Sequence, residues 1–478
     1  MQGGTEYFLG ITAEWWGVII GAAAAVGGLI AFLWSKFGKE PPVNAVDELA
    51  RLKIGELEKK LQEMMNDVPS QVTRDTRFAP PKGYADAEKE VHQRIEKGEE
   101  VVCDILLKIG SVELVQGRLE GARHYYQVVL DEGRKTGSRV DIASALGNIG
   151  VIHQLKGDLE AALKHYREAL EIHRDVGYKQ GVANQLGNMG LVYSDKGDLA
   201  AALKYLNEAL EIHREVGYRQ GEANQLGNIG LIYSDKGDFE AALKHHQEAL
   251  EIDREIGYRL GEASDLGNIG LIYKSKGDLE AALNRYQEAL EIDREIGNRQ
   301  GEASQLSNIG VIYYLEGDLD AASKHLQEAL ELDREIGYRQ GEANQLGNIG
   351  LIYGEKGDLE AALKHFQEAL EIDREVGYRQ GGASQLVNIG LIYGEKGDSE
   401  AALKHFQEAL EIHREVGYRE GEANALGNIG LTYETMGDSS NALENLRAAK
   451  SILETHGLAY GRAEVENAIA RIEAKKKP

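Results

Sequence analysis

Apolar and polar residues alternate along this chain in two helical phrases that follow one another with a fixed period. Between Gly221 and Leu260, apolar positions at Leu226, Ile229, Leu231, Ile232 and Tyr233 predict one helix over Glu222–Lys236. Ala242, Leu243, His246, Ala249, Leu250 and Ile252 then share the buried side of a second helix over Phe239–Ile256. Gly237 stands where a residue outside the first helix closes it, and Asp238 where an N-cap opens the next. Gly257 closes the second helix, and Tyr258-Arg259-Leu260-Gly261 returns the chain.

The phrase recurs every 40 residues. Asn148, Asn188, Asn228, Asn268, Asn308, Asn348, Asn388 and Asn428 each sit in the same Asn-Ile/Met-Gly block, with a Gly-Asp pair following. A period of this size marks a solenoid, in which each unit buries its apolar face only against its neighbours. Two antiparallel helices per unit, stacked in register, make the fold class all-α. The first unit is degenerate: Gly110, Ala122 and Tyr126 keep the pattern, while Glu113 and Val129 depart from it. Nine helix pairs are expected over residues 83–457, with a capping helix and basic tail over 458–478. Five of the six prolines lie between Pro41 and Pro81, so proline chemistry interrupts no helix between Lys82 and Lys477.

The N-terminal texture differs. No charged residue lies between Trp15 and Trp34, and 20 helical residues reach ~30 Å, about one hydrocarbon core. The expectation is a single transmembrane helix over 15–35 after a short extracytoplasmic segment, 1–14. Trp15, Trp16 and Trp34 would sit at the interfaces. Gly17, Gly21 and Ala25 recur every fourth residue, a spacing that lets membrane helices approach one another. Lys36 and Lys39 follow the apolar run and no Lys or Arg precedes it. That asymmetry predicts a single-pass membrane location with the N-terminus outside and the repeats in the cytoplasm. Residues 36–82 read as a linker holding a short amphipathic or coiled-coil helix over 43–68.

The repeats resemble the tetratricopeptide repeat. Gly230, Tyr233, Ala242 and Ala249 fill the family's small, aromatic, alanine and alanine places. The family's late proline is absent, and Arg254 stands near its place. The 40-residue form is similar to the repeats of Pins/LGN spindle-orientation scaffolds and of kinesin light chain. The resemblance implies a right-handed α-solenoid whose first helices line a concave groove. It places Asn184, Asn224, Ser264, Ser304, Asn344, Ser384 and Asn424 in that groove, with Leu191, Leu231, Leu271, Leu351 and Leu391. It also likens the eight-fold asparagine row to the peptide-binding asparagine ladder of O-linked N-acetylglucosamine transferase. A carboxamide offers one acceptor and two donors, enough to pair with an extended backbone. The same amides could instead bond to a neighbouring helix and hold the stacking.

Charge and reactive residues narrow the function. A formal net charge of -25 argues against nucleic acid. Cys103 is the single cysteine, so neither a disulfide within the chain nor a cysteine metal cluster can form. His165 and His173 stand eight residues apart, a poor spacing for chelation, and no metal or cofactor is expected. Glu248, Glu251 and Glu255 read as a solvated helix face paired within the helix by Arg254. No nucleophile or acid–base signature stands out, so the chain is not expected to be an enzyme. The expected function is a membrane-anchored scaffold that holds protein partners in its groove. The alternative is a structural protein that assembles with copies of itself on the membrane.

Overall fold

A computed structural model describes residues 103–115, 117–456 and 461–475. All of the secondary structure in these residues is α-helical, in nineteen helices. They fall into two units, which divide at Ile152 and His153. The first unit holds α1 (Cys103–Val115), α2 (Leu119–Thr136) and most of α3 (Arg139–Leu155). The second takes up the end of α3 and continues with α4 (Leu159–Val176), α5 (Lys179–Asp195), α6 (Leu199–Val216), α7 (Arg219–Asp235), α8 (Phe239–Ile256), α9 (Arg259–Ser275) and α10 (Leu279–Ile296). There follow α11 (Arg299–Glu316), α12 (Leu319–Glu335), α13 (Arg339–Glu355), α14 (Leu359–Val376), α15 (Arg379–Glu395), α16 (Ser399–Val416), α17 (Arg419–Thr435), α18 (Ser439–Thr455) and α19 (Arg462–Lys475).

Glycine sets the rhythm. From Gly117 to Gly437 a glycine with positive φ recurs every 20 residues, once per helix end. At the α7–α8 joint the Asp238 N–H donates to Tyr233 O at 2.9 Å and the Gly237 N–H to Ser234 O at 2.8 Å, the paired bonds of a Schellman motif. The Asp238 carboxylate then accepts from the Ala241 N–H at 3.1 Å and caps α8. At the opposite joint Gly257 and Tyr258 alone turn the chain, and α9 begins at Arg259. Arg259, Leu260 and Gly261 are therefore helical, where the sequence reading made them a return. Gly261 is tolerated there because the space its Cβ would fill is taken by Asp253 and the Tyr258 ring.

Packing makes the hairpins inseparable. One core cluster unites Ala202 and Leu206 of α6, Leu226, Ile229 and Ile232 of α7, and Ala249 and Ile252 of α8. Each cluster thus draws on the second helix of one pair and both helices of the next. Small residues let these helices close up. A Cβ on Gly350 would lie 2.6 Å from the Phe366 ring, and one on Gly230 the same distance from His246. At the C-terminal end α19 seals the last pair with Val465, Ala468 and Ile472.

One expectation is corrected. Among the described residues no helix is long and apolar enough to cross a membrane. The longest have 18 residues; α14, for one, carries Glu360, Lys364, Glu368, Glu371, Asp373, Arg374 and Glu375. The expected single-pass location, with its outside N-terminus and cytoplasmic repeats, has no support here, nor does the membrane as a partner. Segments 1–14, 15–35 and 36–82 lie outside the described residues, with Trp15, Trp16, Gly17, Gly21, Ala25 and Trp34.

Candidate functional site

Positions i, i+4 and i+7 of a helix share one face. On α7 these are Asn224, Asn228 and Leu231; the same triplet recurs on α5, α13 and α17, and on α9 and α15 with Ser264 and Ser384 in the first place. Asn184 is half-buried; Asn224, Ser264, Ser304, Asn344, Ser384 and Asn424 are exposed. Leu191 and Leu231 are half-buried, while Leu271, Leu351 and Leu391 are exposed, Leu391 by 44%. The face therefore keeps an apolar strip uncovered beside its polar groups.

The asparagines lie between these extremes. Asn188, Asn228, Asn268, Asn308, Asn348, Asn388 and Asn428 are all half-buried. Among the described residues, only Asn428 in this set makes a side-chain hydrogen bond, from Nδ2 to Asn424 Oδ1 at 2.8 Å within its own helix. Asn148, in the first unit, is buried and its Nδ2 has no partner. Ser304 and Ser384 return their hydroxyls to Gln300 O and Gln380 O, one turn back. Neighbouring first helices are joined by other groups: Gln154 Nε2 donates to Asp195 at 2.8 Å, the Ser307 hydroxyl to Gln345 Oε1 at 2.6 Å and the Tyr314 hydroxyl to Glu355 at 3.2 Å.

The structure brings several of these positions together at the C-terminal end of the second unit. A cleft of about 480 Å³ is lined by Ser384, Asn388 and Leu391 of α15 and by Asn424, Asn428 and Leu431 of α17. Its remaining walls include His413 of α16, Tyr418, Glu420, Leu453 of α18, and Glu464 and Val465 of α19. Sequence reasoning missed this second group. One signal was present: Glu420 stands where other units carry Gln180, Gln220, Gln300, Gln340 and Gln380.

Charge pairing on the second helices also differs from the sequence reading. Arg254 does not pair within α8; its Nε donates to Glu262 of α9 at 2.8 Å. In the preceding unit Arg214 and Arg219 grip Glu222 at 2.8 and 2.6 Å, and Arg219 also reaches Glu255 at 2.6 Å. Glu248 is held by Arg214. Burial pushes the Glu222 carboxyl upward, but the two guanidinium bonds outweigh it and hold the group below its ordinary range.

Beneath this ladder runs a buried row that alternates in chemistry. His173, His213 and His413 occupy the place of Asp253, Asp293, Asp333 and Asp373. Burial pushes His173 and His213 down to about 4. Burial, then the charges of Asp265 and Glu262, push Asp253 up to about 8. Asp265 is itself engaged by His246 Nδ1 at 2.9 Å, in a pair that is closed to solvent. Among the described residues, no group of three or more His, Cys, Asp or Glu is placed to hold a metal ion.

Helical hairpins with a shared core and a repeating, partly uncovered first-helix face define a helical-repeat protein. The chain belongs to the tetratricopeptide repeat family, whose pattern matches residues 101–175, 141–215, 181–255, 221–295, 302–375 and 383–455. No curated protein matches it in sequence. Solved structures show the same fold at low identity. The apo form of the quorum sensor NprR from B. thuringiensis has a TM-score of 0.53 at 18% identity, over 77% of this chain and 100% of that one. A Rap protein complexed with competence and sporulation factor has a TM-score of 0.52 at 17% identity, over 76% and 98%. Aspartyl phosphate phosphatase F from Bacillus subtilis gives 0.51 at 15% identity, over 75% and 94%.

Proposed function

We propose that this chain is a binding scaffold, not an enzyme, and that the first-helix face of its second unit takes an extended peptide segment of a protein partner. The reading takes this face as the inner wall of a right-handed solenoid. The observation that carries it is the row from Asn188 to Asn388, half-buried yet without side-chain bonds among the described residues. A half-buried carboxamide still meets water, and a ligand that covers it without replacing those bonds leaves it unfavourable by about 1–3 kcal/mol. A peptide backbone, with one donor and one acceptor per residue, would satisfy it. Leu271, Leu351 and Leu391 lie beside the row and supply apolar contact. The Rap neighbour, solved with competence and sporulation factor, adds a precedent for ligand binding on this fold.

The test uses peptides selected from a random library on the intact chain. Replacing Asn228, Asn268, Asn308 and Asn348 together by Ala should weaken binding tenfold or more, at roughly 0.5–1.5 kcal/mol per lost bond, with the helical signal and thermal midpoint retained. Undiminished affinity in a folded variant sinks the reading.

A second reading, assembly with copies of the same chain, is favoured by one observation. Val176, Val216, Ile256, Ile296, Ile336, Val376 and Val416 form a row of exposed apolar side chains, one per second-helix end. Sedimentation of the intact chain decides it: a monomer at all concentrations removes this alternative.

A further inference from the structure

We propose that the cleft between α15, α17, α18 and α19 selects a basic side chain, lysine or arginine, from the extended peptide. The inference rests on the peptide-binding reading above and deepens it.

Arginines meet Glu222 and Glu422 on first helices and Glu255 on a second helix. Glu420 and Glu464 line the cleft, both are exposed, and neither has a cationic partner among the described residues. Glu420 accepts only the Tyr418 hydroxyl, at 3.3 Å. Its neighbour Arg419 is turned away, onto Glu422 at 2.6 Å. No lysine or arginine appears among the cleft-lining residues.

The other walls fit the rest of such a side chain. Leu391, Leu431 and Val465 offer an apolar surface for an aliphatic stem, and the Tyr418 ring can face a cation. At about 480 Å³ the cleft has room for one long side chain and the backbone around it. Both glutamates stand in the first turn of a helix, α17 and α19, where a carboxylate also favours the helix dipole. A role confined to that would stabilise the helices without any preference among ligands, so selectivity separates the two.

The experiment uses the full chain and three fluorescein-labelled octapeptides, built from Ser, Thr and Val and blocked at both ends. They differ at one central position: lysine, norleucine or glutamate. Anisotropy should show the lysine peptide binding about tenfold tighter than the norleucine peptide, and the glutamate peptide weakest, with the lysine preference falling as salt rises. The double variant Glu420→Gln, Glu464→Gln should bind the lysine and norleucine peptides alike. Equal binding of lysine and norleucine peptides by the parent chain overturns the proposal and leaves the peptide-binding reading standing. A preference that survives in the double variant overturns the assignment to this cleft. No binding of any of the three overturns the proposal, while the library selection tests the peptide-binding reading beneath it.

Discussion

At the scale of single residues, the buried row under the ion-pair ladder decides how the protein answers to pH. Asp253 is the sharpest case, since burial and the nearby Asp265 carboxylate raise it to about 8. A carboxyl held protonated in the folded state, but free to ionise when unfolded near 3.9, contributes stability that is complete below about pH 4. That contribution is lost as pH rises through about 8. Asp253→Asn should therefore stabilise the protein at pH 8 by on the order of 1–2 kcal/mol and flatten the fall of its thermal midpoint from pH 5 to 8. Melting curves from pH 5 to 9 check this, and an unchanged slope refutes it. His173 and His213 act in the opposite direction. Their depressed values keep them neutral when folded, so their contribution holds above about pH 6.5 and is lost as pH falls toward about 4.

At the scale of elements, the helices and their ends were legible because each joint is written in residues with one conformational meaning. Gly237 and Asp238 turn and cap as their chemistry dictates, and α8 occupies Phe239–Ile256 as read. The start of α7 was misjudged by three residues, because Tyr218 opens the helix without a side-chain cap to announce it. The partners of Arg254 were hidden for a different reason: Glu262 and Glu288 are brought near only by stacking of successive hairpins. The cleft was likewise invisible, since five helices converge to form it. The ladder has one gap that tests this account. Gly382 stands where Glu222, Glu262, Glu302, Glu342 and Glu422 receive two arginines. A Cβ there would meet only Leu370 at 3.4 Å and Asp373 at 3.8 Å. Gly382→Glu should complete the fork with Arg374 and Arg379 and stabilise the chain by about 1 kcal/mol, most of it from helix propensity, since both arginines are exposed. Urea denaturation measures the gain, and Gly382→Ala separates the propensity share from the ionic one.

At the scale of the whole molecule, stability is a sum of hairpins and the interfaces between them. From α4 to α18 every joint is one glycine-centred turn, and the core clusters are shared by consecutive pairs. Excising Gly257–Ile296 joins Ile256 to Gly297 and preserves that phase. The shortened chain should fold, lose helical signal in proportion to the residues removed, and unfold with a lower denaturant sensitivity. An aggregated or non-cooperative product would show instead that the units are not interchangeable.

The direction of the arginine forks has a further consequence for a chain made from its N-terminus. Arg214 and Arg219 find Glu222, Glu248 and Glu255 only later in the sequence, up to 36 residues on. Each newly completed hairpin therefore leaves the ribosome with bare guanidinium groups at its leading surface, in a protein that is strongly anionic once finished. Synthesis of the next forty residues neutralises them and passes the same exposed charge one step along.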